Sequence, residues 1–132
     1  MRARGFSLIE VLIVCIIVGI LTAIALPSYR NQVQKSRRTD ATSALVGAAG
    51  QMERYFTERG TYATATLGTG GVYPAKSQNG YYTLTLANLT ATSYTLRAAP
   101  AGAQVGDPCG TMTYNDQGVK GVTGSFSVSQ CW

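Results

Sequence analysis

Residues 6–26 read FSLIEVLIVCIIVGILTAIAL, an apolar run of 21 residues that contains a single carboxylate, Glu10. As an α-helix the run would be about 31 Å long, which matches the hydrocarbon core of a bilayer. An ionisable residue inside a membrane segment is costly and by default marks a functional position. The competing interpretation is a carboxylate that snorkels to the interface, because Glu10 lies only four residues into the run. The run predicts a membrane-spanning helix.

A five-residue basic leader, Met1-Arg2-Ala3-Arg4-Gly5, precedes the apolar run. A cleaved secretory signal is the main alternative, but its apolar region would be shorter and would end at small residues before the cut. Here the run continues through Ala23-Ile24-Ala25-Leu26-Pro27 directly into sequence with helical character. We therefore expect the apolar run to remain in the mature protein.

The overall composition argues against catalysis. A chain of 132 residues has room for one membrane segment and one small soluble domain. It contains no histidine, and its six acidic residues form no close pair in the sequence. Without a general base, a paired acid or an activated nucleophile, an enzyme is disfavoured, and we expect no metal or cofactor. The formal charge of +5 is a weak signal for nucleic-acid binding.

The three cysteines differ in context. Cys15 lies in the apolar run, where it is interpreted as a small packing residue. Cys109 and Cys131 flank a stretch of 21 residues, and zinc would need four ligands in a chain without histidine. A disulfide is the better interpretation, and it predicts an oxidising compartment for the C-terminal part. The positive-inside rule predicts the reverse orientation from the basic residues after the run, but the cysteine pair is given more weight.

The helical pattern continues beyond the apolar run, to about residue 59. Apolar residues at intervals of three and four form one stripe, which consists of Ala41, Ala44, Leu45, Ala48, Met52, Tyr55 and Phe56. A more polar opposite side is marked by Asp40, Ser43, Gln51, Arg54 and Glu58. Gly60 predicts the end of the helix.

A loop over residues 60–79 separates this helix from four short alternating segments. These segments centre on residues 82–86, 94–97, 111–114 and 125–129, and each predicts a strand with one apolar face. Residues 115–118 (Asn-Asp-Gln-Gly) predict a turn. The stripe on the helix is the natural cover for the apolar face of an antiparallel sheet, so the predicted fold class is α+β.

These motifs together resemble type IV pilins, and the resemblance extends over the whole chain. It is most specific at Gly5-Phe6-Ser7-Leu8-Ile9-Glu10-Val11, which is similar to the class III signal cut by prepilin peptidase. Residues 25–29 (ALPSY), residues 55–62 (YFTERGTY) and the segment from Cys109 to Trp132 also fit. In detail the chain is most similar to the PilE-type minor pilins.

The resemblance implies a role for each part of the chain. Residues 1–5 would be a leader, 6–27 a transmembrane and filament-core helix, and 28–132 the pilin globular domain, with the sheet and disulfide loop over 80–132. Cleavage would fall between Gly5 and Phe6, followed by N-methylation of Phe6. Glu10 would pair with the N-terminal amine of a neighbouring subunit. Gly19 and Pro27 would bound a segment that melts in the assembled filament.

The resemblance also implies partners and localisation. The precursor would sit in the inner membrane with its C-terminal domain in the periplasm, and prepilin peptidase and the pilus assembly machinery would deliver it to an extracellular filament of pilin subunits. Independently of the resemblance, the basic run from Arg30 to Arg38 is interpreted as a solvated helix face or as an ion-pair partner for neighbouring subunits. Adhesion, twitching motility and DNA uptake remain open as roles.

Two alternatives come from different functional classes. A pseudopilin of a type II secretion system shares the N-terminal signal, but the cysteine-closed tail and the missing acidic clusters of a calcium site argue against it. A pilus-tip module that binds DNA or a surface ligand would need an exposed basic or aromatic patch. Nucleic acid is the more weakly supported partner, because the basic run should be partly covered inside a filament.

Overall fold

The structure is a computed structural model that describes residues 4–132, so most of the predicted leader lies outside the described residues. Helix α1 (Leu8–Arg59) is followed by strands β1 (Tyr82–Ala87), β2 (Thr95–Pro100), β3 (Met112–Asn115) and β4 (Lys120–Val122), and by the short helix α2 (Val128–Cys131). A 3₁₀ turn covers Gly102–Gln104. The backbone divides into two compact units, one up to Val33 and one over Gln34–Trp132.

In the N-terminal unit, α1 is exposed along its whole apolar run. The side chains of Phe6, Leu8 and Ile24 are 82%, 88% and 69% exposed. Among the described residues, α1 is the one helix with the length and composition needed to cross a membrane. Within the described residues 4–132, no other part of the chain covers this apolar surface.

In the C-terminal unit, the sheet is an antiparallel meander in the order β1-β2-β3-β4. Its inner face packs against the predicted stripe of α1 in one apolar core. The buried members of that core include Leu45, Met52, Tyr82, Leu84 and Leu96. The predicted α+β architecture is confirmed, because the helix stripe covers the apolar face of the antiparallel sheet.

Gly60 ends α1 as predicted. Its φ of +70° is a left-handed conformation that glycine adopts without a Cβ penalty, and its N–H donates to the carbonyl of Phe56 at 2.6 Å. The structure places no helix or named strand between Arg59 and Tyr82. The predicted turn at 115–118 is also present, since the N–H of Gly118 donates to the carbonyl of Asn115 at 3.0 Å.

The predicted strand at residues 125–129 is wrong. The fourth strand is Lys120–Val122, directly after the turn, and residues 128–131 form α2 instead. Ser127 caps this helix through a reciprocal pair of bonds with Gln130, which includes a 2.9 Å bond from its N–H to Oε1 of Gln130. Phe126 and Val128 are both exposed, so their alternation with serine marks no core-facing side.

Two buried tyrosines in the core keep their hydroxyl groups paired. Tyr62 and Tyr94 donate to Oε1 of Glu53 at 2.9 Å and 3.3 Å, and their rings pack edge to face with centroids 4.9 Å apart. Burial raises the pKa of Tyr62 to about 12, with the hydrogen bond to Glu53 as a further cause. Both phenols therefore act as neutral donors that connect Glu53 of α1 to the following loop and to the segment just before β2.

Candidate functional site

The first candidate site is the N-terminal turn of α1 around Glu10. Ser7 precedes the helix, and its Oγ accepts the backbone N–H of Glu10 at 3.3 Å. Ser7 and Glu10 have the spacing of a capping box, in which serine and glutamate stabilise the first turn of a helix. The carboxylate also lies at the positive end of the helix dipole, which favours a negative charge. This local role of Glu10 was not predicted from the sequence.

The N-terminal turn of α1 is capped but remains exposed in the single chain. Phe6 and Glu10 are both exposed, and a Cβ at Gly5 would meet open space. The structure thus leaves the predicted processing site accessible and leaves the carboxylate of Glu10 free of any described side-chain donor. Cleavage at Gly5, methylation of Phe6 and pairing by Glu10 stay predictions.

The predicted melting segment is helical in the single chain. α1 runs without interruption through Gly19 and Pro27. Within this region the hydroxyl of Thr22 donates to the carbonyl of Val18 at 2.7 Å, a bond that competes with the helix ladder and often bends it. Proline cannot donate to the carbonyl four residues before it, which further weakens this turn. Melting was predicted for the assembled filament, and it stays a prediction.

Cys109 and Cys131 form the predicted disulfide, with their Cα atoms 5.9 Å apart. The bridge holds α2 against the segment that leads into β3. Gly124 lies close to the backbone of Pro108. A Cβ on Gly124 would overlap the carbonyl oxygen of Pro108, so this position requires glycine. Trp132 closes the end of the loop through a 3.3 Å bond from its indole N–H to the carbonyl of Gly121. Cys15 is free and exposed in the single chain.

A buried ion pair joins α1 to the segment before the disulfide. Arg38 donates to Asp107 through both Nε and Nη2, with distances of 2.8 Å from Nε to Oδ2 and 2.6 Å from Nη2 to Oδ1. Both residues are buried. Charged side chains are seldom fully buried unless they are paired, as these two are. The prediction that the whole run from Arg30 to Arg38 is solvated or pairs with other subunits is therefore wrong for Arg38.

Three further groups complete the surroundings of Asp107. Nε2 of Gln104 donates to Oδ2 at 2.7 Å, the hydroxyl of Tyr82 donates to the same oxygen at 3.3 Å, and the N–H of Cys109 donates to Oδ1 at 3.2 Å. Burial alone would raise the pKa of Asp107, but the bonds from Arg38, from the N–H of Cys109 and from Gln104 hold it below its usual 3.8. Asp107 is therefore an ionised, fully engaged structural carboxylate.

No pattern in the sequence indicates that Arg38, Gln104 and Asp107 lie together. Arg38 and Asp107 are 69 positions apart, and each stands among residues of similar appearance. The side chain of Gln104 also reaches back to α1, where its Nε2 donates to the carbonyl of Gln34 at 3.2 Å. Only the folded chain identifies this network as the connection between α1 and the disulfide loop.

The outer face of the sheet is a second exposed surface. The cross-strand pairing places Arg97 between Thr85 and Thr113, and it places Lys76 opposite Thr83 on the same face. Both cations are exposed. Within the four described strands, no acidic residue stands at these outward positions. This face is therefore hydroxyl-rich and positively charged.

Comparisons with known proteins agree with this architecture. The sequence matches two protein families: "Type IV minor pilin ComP, DNA uptake sequence receptor" over residues 27–113, and "Prokaryotic N-terminal methylation motif" over residues 1–26. Among solved structures, the non-core minor pilin PilV of Neisseria meningitidis is similar, with a TM-score of 0.61, 27% identity, and coverage of 74% of this chain and 95% of that one. A type IV pilin from Shewanella oneidensis has a TM-score of 0.53 at 26% identity, over 75% of this chain and 97% of that chain.

Curated relatives include both pilins and a pseudopilin. The fimbrial protein EcpC of Eikenella corrodens is 37% identical over 60% of this chain and 50% of its own length. The type II secretion system core protein G of Dickeya chrysanthemi is 30% identical over 54% of this chain and 46% of its own length. The match thus spans about half the length of these relatives. Together with the helix, sheet and disulfide described above, the family match over residues 27–113 shows that the chain belongs to the type IV minor pilin family described as ComP, DNA uptake sequence receptor.

Proposed function

We propose that the protein is a minor structural subunit of a type IV pilus. The observation that carries the proposal is the apolar run of α1, which is exposed throughout and has Glu10 in its first turn. Such a surface is stable in only two surroundings, a bilayer and a bundle of similar helices. A pilin occupies both in turn, first as a membrane-anchored precursor and then as part of the filament core.

The proposed path of the chain follows from this arrangement. Prepilin peptidase cuts between Gly5 and Phe6, Phe6 is N-methylated, and the assembly machinery transfers residues 6–27 from the inner membrane to the filament. Residues 28–132 fold in the periplasm, where the disulfide between Cys109 and Cys131 can form. The segment from Gly19 to Pro27 melts as the helices pack.

Mass spectrometry of sheared pili tests this proposal. We expect a mature chain that begins at methylated Phe6 and is present in far smaller amounts than the major subunit. The control is the same preparation from a strain without prepilin peptidase, in which the chain should remain in the membrane. A chain that still begins at Met1, or one found in a secretion pseudopilus instead of pili, would contradict the proposal.

We also propose DNA as a ligand of the assembled subunit, because the family description names a DNA uptake sequence receptor. The exposed cations Lys76 and Arg97 on the outer face of the sheet could contact phosphate groups, which supply most of the affinity of proteins for DNA. The surrounding threonines could donate further hydrogen bonds to the backbone.

Salt-dependent binding of duplex DNA tests this second role. Replacing Lys76 and Arg97 by alanine should weaken binding and reduce the slope of log K against log salt by about one for each phosphate that is no longer neutralised. Arg54→Ala is the matched control, because Arg54 pairs with Glu58 on the exposed side of α1. An equal decrease in the control, or no change in the double variant, would refute a role for the sheet face.

A further inference from the structure

Among the described carboxylates, Asp40 is the one that has a buried oxygen without a hydrogen-bond partner. The sequence placed Asp40 on the polar side of α1, and the structure shows that this side is covered at Asp40, which is only 8% exposed. Its Oδ1 accepts the backbone N–H of Asn79 at 3.1 Å, whereas its Oδ2 is buried and has no described donor. A buried carboxylate without a compensating cation is costly, so a missing partner is implied.

The carboxylate lies in the wall of a pocket within the C-terminal unit. The pocket has a volume of about 440 Å³ and is bounded by α1 and by the loop before β1. Ser36, Thr39 and Ser43 line it from α1, at spacings of three and four residues that place them on one face with Asp40. Tyr73, Gln78 and Asn79 line it from the loop.

Tyr73 closes one end of the pocket. Its hydroxyl would lie 3.0 Å from a Cβ at Gly47, so the glycine allows the tyrosine ring to approach the helix closely. Oδ2 of Asp40 is buried in the single chain, so a ligand would reach it only after a rotation of the carboxylate, which its broad terminal torsion permits. The lining then offers one negative charge surrounded by hydroxyl and amide groups.

This lining selects a cation that donates several hydrogen bonds. Calcium requires six to eight oxygen ligands, usually from several carboxylates, and no group of three or more acidic, cysteine or histidine residues is found in the described part of the chain. An ammonium group is a strongly hydrated point charge with three donors. A guanidinium group is more weakly hydrated and has five donors in a planar fork, which suits a carboxylate flanked by hydroxyl groups.

We propose that this pocket binds the guanidinium group of an arginine from a neighbouring pilus subunit. The inference rests on the proposed role of the protein as a pilin. Ser36 follows the apolar run by ten residues in the sequence, and in the proposed filament that run packs against neighbouring subunits. The incoming arginine would supply the charge that Asp40 lacks and would select for correct subunit docking.

Asp40→Asn separates folding from docking, because asparagine can still accept the N–H of Asn79 but has no charge. In the full-length subunit in detergent micelles, we expect a Tm equal to or above that of the wild type, since the unpaired anion is removed. In pili, we expect incorporation to fall by about tenfold or more, the range for losing a charge-assisted hydrogen bond.

Asp116→Asn is the matched control. Asp116 also accepts a backbone N–H, from Tyr94 at 3.3 Å, but it lies outside the pocket. Its variant should be incorporated like the wild type. A lower Tm for Asp40→Asn, or its normal incorporation, would overturn the arginine pocket, whereas wild-type protein missing from pili would overturn the proposed function instead.

Titration with methylguanidinium provides a second test on the full-length subunit in micelles. We expect it to shift the backbone amide signals of Asp40, Ser43 and Asn79 in the wild type and to leave them unchanged in Asp40→Asn. Tetramethylammonium, which has the charge but no donor, should produce no shift. Tighter binding of methylammonium would assign the pocket to a lysine, and equal shifts by all three cations would mean non-specific ion binding; either result refutes the proposal.

Discussion

Glu10→Ala is expected to reduce incorporation into pili by about two to four orders of magnitude, while the membrane-bound precursor remains at its normal level. The resemblance to pilins implies that the carboxylate pairs with the amine of Phe6 in a neighbouring subunit. Removing one partner of a buried ion pair leaves the other charge uncompensated, at a cost of about 3–5 kcal/mol. Within the bilayer the same substitution removes a costly charge, so the precursor should not lose stability.

Two variants separate the charge of Glu10 from its place in the helix cap. Glu10→Gln preserves the shape and the capping position but removes the charge, and we expect it to fail like the alanine variant. Ser7→Ala removes the 3.3 Å bond to the N–H of Glu10 and preserves the charge, and we expect only a small loss of incorporation. Quantitative proteomics of sheared pili and membranes measures both fractions. Normal incorporation of Glu10→Gln would show that the charge has no part in docking.

Arg38→Ala is expected to lower the free energy of unfolding of the C-terminal unit by about 3–5 kcal/mol. The substitution leaves the carboxylate of Asp107 buried with no cation beside it, and breaking a buried pair in this way is strongly destabilising. In a domain of this size, such a decrease lowers Tm by more than about 10 °C. Thermal unfolding followed by circular dichroism measures the effect.

The neighbouring Arg37 is the matched control for this prediction. Its guanidinium lies over the ring of Tyr81, with 4.5 Å between Cζ and the ring centroid, and it is only half-buried. Arg37→Ala should therefore cost about 0.5–1 kcal/mol, although it removes the same charge. Equal effects of the two substitutions would contradict the special role of Arg38.

The pH dependence provides an independent check on the ion pair. The pKa of Asp107 is lower in the folded protein than its usual 3.8, so its ionisation stabilises the fold above that pH. This stability is lost as the pH falls through the folded pKa. The difference between wild type and Arg38→Ala should therefore narrow as the pH falls through the lowered folded pKa of Asp107, because the protonated carboxyl group no longer needs a cation. A constant difference down to pH 2 would argue against this mechanism.

The parts of the fold that could be predicted from the sequence depend on local periodicity and on strong single signals. The stripe from Ala41 to Met52 recurs with the helical period, and Gly60 ends the helix because its backbone conformation is nearly free of steric cost. The alternation of apolar and polar residues was a less reliable signal for strands. Phe126 and Val128 alternate with serine, but the serine caps a helix, and neither apolar side chain reaches the core.

Residues whose roles depend on distant partners could not be predicted. In the sequence, Arg38 and Asp40 are both charged residues on a long polar stretch of α1, and nothing nearby distinguishes their roles. In the folded chain Arg38 meets Asp107, 69 residues away, and Asp40 meets the backbone of Asn79, 39 residues away. Burial converts each from a solvated charge into one that needs a partner, and only the tertiary structure decides which partner is present.

The sequence by itself determined the exposed apolar helix, the carboxylate in its first turn, the helix stripe and the cysteine pair. Each of these follows from the chemistry of residues close together in the chain or from a rare residue type. The tertiary structure decided the fourth strand, the ion pair that joins α1 to the disulfide loop, and the pocket with an unpaired oxygen of Asp40. These features depend on long-range packing, because an unpaired charge becomes costly only where the folded chain removes it from water.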